Sequence, residues 1–232
     1  MTVERDERTM HILLTDVLTC PRCGPELGLI LLADRIDGRR VVEGRLGCAN
    51  CREQYPIRGG AVDLRVSGAA HPGVGGSDRG GTEDPQEAAV RLAALLGLAD
   101  AQGTVLVAGP GAALAGDLAA LVPELEVVAL APEPGDLDGR AGVTPMAGTT
   151  APLPFRAGKL RGVALTDGAD EAALSEGLRV LQPGARLVVE NAAQGTGEAL
   201  ARLGAQVILE QEGTVVARAV GQPVQLRMNA SR

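Results

Sequence analysis

Two Cys-x-x-Cys pairs near the N-terminus and, beyond residue 84, apolar runs alternating with helical patterns predict an α/β chain in two parts. A small zinc ribbon comes first. A doubly wound, mostly parallel Rossmann-like sheet follows, and a C-terminal antiparallel hairpin closes it. The third observation is the stretch between the parts. Ser67 to Glu83 reads SGAAHPGVGGSDRGGTE, glycine-rich and without apolar periodicity, which is linker composition. The expected boundaries are 1–68 for the ribbon, 69–83 for the linker, 84–221 for the sheet domain and 222–232 for a tail.

In the ribbon, Cys20-Pro21-Arg22-Cys23 and Cys48-Ala49-Asn50-Cys51 hold the chain's only cysteines. Two thiolates at this spacing sit on one tight turn. Two such turns face to face make a four-sulfur tetrahedron, the geometry that selects zinc. Disulfides or free thiols are the alternative use of the four cysteines. A closed four-cysteine site keeps no open coordination position, so zinc here would be structural. Between the pairs, Leu27–Leu32 and Val41–Leu46 flank the turn residues Asp34–Arg40 and predict a β-hairpin. Arg22 and Arg52 lie in or beside the knuckles, placed to offset the charge of four thiolates.

The sheet domain opens with a helix. Asp84-Pro85-Gln86-Glu87 supplies an N-cap, a proline at the first helical position and a capping-box glutamate. Val90, Leu92, Leu95 and Leu96 carry the helix to about Ala99. Thr104–Val107 is an apolar strand followed at once by Gly109-Pro110-Gly111. An Ala-rich helix over 112–121 leads to the strand 126–131, and weaker strands follow at 143–147 and 162–166. Then come a helix over 171–181, the strand 186–190, a short helix near 196–203 and the hairpin 206–210 with 214–219. Buried strands alternating with helices mean a parallel sheet covered on both faces.

Composition narrows the function classes. The 232 residues suffice for one full core and a smaller module. No apolar run is long enough to span a bilayer, and Met1–Arg8 is too acidic for a signal peptide, so no membrane association is expected and the cytoplasm is the expected compartment. Tyr55 and Phe155 are the only aromatics, so Val, Leu, Ile and Ala must build the core. Residues 1–68 balance their arginines against their acids, which leaves the whole net charge of −7 on the rest of the chain. An acidic larger domain offers no footprint for phosphate backbones, and direct, stable nucleic-acid binding is not expected. Neither His11 nor His71 has a free cysteine nucleophile to pair with.

The stretches Leu14-Thr15-Asp16-Val17-Leu18-Thr19-Cys20-Pro21-Arg22-Cys23 and Leu46-Gly47-Cys48-Ala49-Asn50-Cys51-Arg52-Glu53-Gln54-Tyr55-Pro56-Ile57 resemble a family of small zinc ribbons over about residues 11–64. That family's members are activator subunits of tRNA and protein methyltransferases. A glycine often follows the last cysteine there; this chain has Arg52. The segment Leu174–Val189, with Leu153-Pro154-Phe155, resembles class I S-adenosylmethionine-dependent methyltransferases over about residues 104–192. That resemblance puts Gly109 and Gly111 at the cofactor turn. A lone Gly-x-Gly is weak support, since 32 glycines in 232 residues give about four such triplets by chance.

The resemblance also implies three carboxylates: toward the methionine ammonium, the ribose hydroxyls and the adenine amino group. The corresponding positions are Val107, Leu130 or Ala131, and Thr149, all uncharged. Each lost charge-assisted hydrogen bond is worth about 1–3 kcal/mol, so S-adenosylmethionine binding is doubtful. The sequence therefore predicts a zinc-binding pseudo-methyltransferase acting as a regulatory or protein-interaction module, with a methyltransferase as the partner class the ribbon implies. An active methyltransferase with a non-standard cofactor pocket is the alternative, with Glu133 or Asp167 replacing a missing acid. A redox- or zinc-responsive module is the third reading.

Overall fold

The computed structural model describes residues 9–66, 84–99, 101–131 and 142–220. The linker expected at 69–83, the tail at 222–232, His71 and Glu133 lie outside the described residues.

The N-terminal part contains β1 (Met10–His11), a 3-10 turn (Ile12–Asp16), β2 (Thr19–Cys20), β3 (Gly24–Gly28), β4 (Ile30–Asp37), β5 (Arg40–Gly47), β6 (Gln54–Arg58) and β7 (Ala61–Asp63). The expected hairpin is β4–β5. Its first strand starts at Ile30, since Leu27 and Gly28 belong to β3 and pair toward β2, but it reaches further toward the turn than the sequence suggests. Pairing runs from Ile30↔Gly47 to Asp37↔Arg40, because Asp34 is absorbed as a bulge between Ala33↔Gly44 and Arg35↔Glu43. Only Gly38 and Arg39 remain to turn the chain.

The larger part follows as α1 (Pro85–Leu96), β8 (Gly103–Ala108), a 3-10 turn (Pro110–Leu114), α2 (Ala115–Leu121), β9 (Leu125–Ala131), β10 (Val143–Ala147) and β11 (Leu160–Leu165). It ends with α3 (Glu171–Val180), β12 (Leu181–Val189), α4 (Thr196–Arg202), β13 (Gln206–Gln211) and β14 (Thr214–Arg218). Asp84 caps α1 by accepting from the Gln86 amide at 2.8 Å. The helix stops before Ala99, since Gly97 turns left-handed at φ 68° and donates back to Ala93 and Ala94. β12 starts at Leu181, earlier than Arg186, by pairing with Leu160 ahead of a register shift.

The sheet runs in the order β10-β9-β8-β11-β12-β14-β13. Its first five strands are parallel, and β14 and β13 are antiparallel additions. This is the mixed α/β architecture the sequence predicts. Successive side chains of β8 face opposite layers. Val105 and Val107 join Leu92, Leu96 and Leu118 of α1 and α2. Leu106 and Ala108 join Leu174 of α3, Leu200 of α4 and the inner residues of the ribbon.

The two parts share one sheet. β7 pairs in parallel with β10 at Val62↔Met146 and Asp63↔Ala147, which makes a continuous sheet of twelve strands. Without β7 the edge of β10 would be left unpaired, and the ribbon covers it. Polar contacts lock the same junction. Arg40 donates to Glu126 at 2.7 Å, and the Thr144 hydroxyl donates to that same carboxylate. A twelve-residue helix is the longest among the described residues, and none is long and apolar enough to cross a membrane.

Candidate metal centre and switch-point cleft

Cys20 ends β2 and Cys23 stands in the turn before β3, while Cys48 and Cys51 form a second turn after β5. That second turn is closed by two backbone hydrogen bonds, Cys48 N–H to Glu53 O at 3.0 Å and Arg52 N–H to Cys48 O at 2.9 Å. All four sulfurs lie within 4.8 Å of one another. Cys20 is 3.7 Å from Cys51, and Cys23 is 3.8 Å from Cys48. Four thiolates bound tetrahedrally at about 2.3 Å would stand about 3.8 Å apart. A disulfide needs about 2.05 Å, so the arrangement is that of metal ligands and not of bridges.

A second layer of donors surrounds the sulfurs. The Tyr55 hydroxyl lies 3.4 Å from the Cys20 sulfur, and Asn50 Nδ2 donates to Cys23 at 3.4 Å. Sequence reasoning missed both. The available signal was a lone tyrosine closely following a knuckle and a side-chain donor inside one. Burial and its contact with Cys20 push the Tyr55 hydroxyl far up, so it stays protonated and able to donate. Burial opposes the Cys48 thiolate, but backbone N–H groups of Cys51 and Asn50 win and bring it to about 7. The Glu53 amide favours the Cys51 thiolate, yet burial and its neighbouring thiols raise it to about 12. Crowded like charges resist joint ionisation, and a divalent cation removes that conflict.

The two arginines beside the knuckles differ from each other. Arg22 donates to Glu53 at 2.9 Å, and that carboxylate, followed by the nearby Cys51 and Cys23 thiolates, favours its charged form. Arg52 adopts φ 62°, the left-handed backbone that favours glycine. A non-glycine residue at this position therefore carries a conformational cost.

The strand order reverses at β8, whose neighbours β9 and β11 lead to opposite halves of the sheet. Ligands of open α/β sheets bind outside the carboxyl ends of the strands at such a point. A cleft of about 270 Å³ lies there, lined by Gly109, Thr150, Thr166, Asp167, Gly168 and Asp170 among others. Drug-sized ligand pockets usually start near 300 Å³. Gly109 stands at φ 89°, and a Cβ on Gly111 would fall 2.5 Å from Thr166. The glycines thus make room for the Thr166 side chain. Its hydroxyl accepts from the Gly111 amide at 2.7 Å and donates to Ala108 O at 2.8 Å. The Gly109 amide is committed to Leu130 O at 3.2 Å, and Pro110 has no N–H.

Val107, Leu130 and Ala131 are all buried, and Thr149 Oγ1 is 3.5 Å from Pro152 O. Asp167 stands exposed on the rim, and Asp170 caps α3 by accepting from the Ala173 amide at 2.8 Å. Leu153-Pro154-Phe155 is gripped from α3. Arg179 donates to Leu153 O and Phe155 O, and Glu176 accepts from the Leu153 amide. Burial disfavours the Glu176 carboxylate, but its hydrogen bonds from Arg179 and Leu153 outweigh that and lower its pKa.

Residues 11–60 match the family model described as Trm112p-like protein. The match takes in the four cysteines and covers under a quarter of the chain, so it characterises the ribbon segment. No curated protein sequence matches the chain. Distant structural likenesses include several methyltransferases. The antibiotic-resistance methyltransferase Kmr is 16% identical with a TM-score of 0.43, covering 58% of this chain and 93% of that one. Burkholderia thailandensis 1,6-didemethyltoxoflavin-N1-methyltransferase is 16% identical with a TM-score of 0.45, covering 60% and 80%. A complex of the Haloferax volcanii Trm112 methyltransferase activator with a candidate methyltransferase gives 15% identity and a TM-score of 0.44, covering 59% and 94%. At these values the strand order itself remains the firmer statement of the fold.

Proposed function

We propose that this chain is a zinc-stapled, methyltransferase-like protein that acts through protein contact and does not use S-adenosylmethionine. The observation that carries the reading is the state of the glycine turn. Its donors are consumed within the chain by Thr166 and Leu130 O, and uncharged residues, the buried Val107, Leu130 and Ala131 and the exposed Thr149, stand where the cofactor's carboxylates would be. Zinc is the metal of choice for four sulfurs spaced as a tetrahedron requires. The protein-contact role follows from the ribbon's resemblance to methyltransferase activators. Here an activator-like ribbon already lies on a sheet of its own chain through β7 and β10.

An active methyltransferase is the second reading, favoured by the open cleft at the switch point with Asp167 on its rim. Calorimetric titration of the zinc-loaded chain with S-adenosylmethionine and S-adenosylhomocysteine separates the two. The expected result is no heat of binding at ligand concentrations up to about 1 mM, the weakest range such a titration reads. Micromolar binding would replace the first reading with the second.

A further inference from the structure

We infer that the four-cysteine site fixes the position of the loop Gly148–Arg156, and through it one wall of the switch-point cleft. The inference rests on the reading of that site as a zinc centre. It is independent of whether the cleft binds S-adenosylmethionine.

The cysteines belong to two different sheets. Cys20 and Cys23 sit on the small β2–β3 sheet, while Cys48 and Cys51 hang from the end of β5 in the twelve-stranded sheet. β2 and β3 pair at only two positions, Thr19↔Gly28 and Cys20↔Gly24, with an irregularity between them. So short a two-stranded unit has little stability of its own. The strap runs on into β1 and β4 of the main sheet and buries Leu18 and Cys20 in the common core, and the sulfur cluster adds a tie between its knuckle and the end of β5.

The strap in turn holds the loop. The Thr19 amide, one residue before Cys20, donates to Pro154 O at 2.9 Å, and the Arg156 amide donates to Val17 O at 2.8 Å. Leu18 forms a β-bridge with Phe155, and both side chains are fully buried. The Arg156 side chain also lies over β3, where a Cβ on Gly28 would meet its guanidinium. On its other side the loop is anchored by Glu176 and Arg179 of α3. Thr150, in the same loop, lines the cleft. Loss of the metal loosens the strap and leaves the loop to the α3 anchor and the buried Leu18–Phe155 contact, so the metal state of the cysteines is read out along the loop toward Thr150.

Amide hydrogen exchange on the full chain tests this, with zinc content followed in parallel by metal analysis. On removal of zinc with EDTA, exchange at Thr19 and Arg156 should rise about tenfold or more and recover when zinc is restored. Amides of Val105–Ala108 in β8 and Val215–Ala217 in β14 should keep their rates. Unchanged exchange at Arg156 after zinc has left would overturn the inference, as would uniform acceleration of every amide. A purified chain that neither carries nor takes up zinc would remove the zinc reading itself, and the inference with it. Arg179→Met gives an independent arm, since it weakens the α3 anchor and leaves the cysteines alone. Its zinc-loaded form should retain slow exchange at Arg156. Rapid exchange there would show that α3 alone holds the loop and would sink the coupling.

Discussion

The cysteine cluster and the glycine turn are both built on short turns, but they use their polar groups in opposite ways. At the cysteines, four sulfurs converge on one point, and outer donors from Tyr55 and Asn50 aim at the sulfurs. At the turn, the Gly111 and Gly109 amides are answered by Thr166 and Leu130 of the same chain. A binding site consists of groups the fold leaves over for a ligand. By that measure the cysteine sulfurs are left over for a ligand, while the Gly109 and Gly111 amides are already satisfied within the chain.

Installing an acid at Val107 gives the largest expected effect. If the larger domain were a methyltransferase one carboxylate short, Val107→Asp would repair it. Val107 instead points into the apolar layer with Leu92, Leu96 and Leu118, fully buried. An ionised or unpaired carboxyl there should cost about 3–5 kcal/mol and produce no cofactor binding. Urea denaturation measures the first quantity and calorimetry the second. A stable variant that binds S-adenosylmethionine would break the contrast between the two turns.

Thr166→Ala is milder and more discriminating. It deletes the hydroxyl that satisfies Gly111 N–H and Ala108 O, at an expected cost of about 1–3 kcal/mol. It also returns the Gly111 amide to the cleft. Cofactor binding should remain absent, because the carboxylate positions stay uncharged. Gain of binding would identify the Thr166 hydroxyl as the single obstruction.

The parts legible in the sequence were those with a local periodic or spacing signal. The Cys-x-x-Cys pairs gave the cluster, and alternating apolar runs gave β8, β9, β11 and the final hairpin to within a few residues. The N-cap at Asp84 gave the start of α1. Long-range pairings left no such mark. Ala61–Asp63 is too short to read as a strand, yet β7 joins the ribbon to β10 and makes one sheet of two segments. The same holds for Leu18 against Phe155 and for Thr166 over Gly111, where partners far apart in sequence meet only in the fold. That Val107, Leu130 or Ala131, and Thr149 are uncharged was readable. That the turn's amides were also occupied was not.

The smallest effect concerns the knuckle itself. The last cysteine is followed by Arg52, whose backbone stands at φ 62°. A side chain in that region costs about 1–2 kcal/mol, and a glycine avoids the clash but gives back part of the gain through greater freedom when unfolded. Arg52→Gly should therefore stabilise the zinc-loaded chain by about 0.5–1 kcal/mol. The exposed Arg52 guanidinium has a charge that could compensate only by reaching a sulfur. Destabilisation of R52G in thermal unfolding, together with weaker zinc retention, would show that this reach is made and outweighs the strain. Stabilisation with unchanged zinc retention would show that the Arg52 side chain contributes nothing to the metal centre.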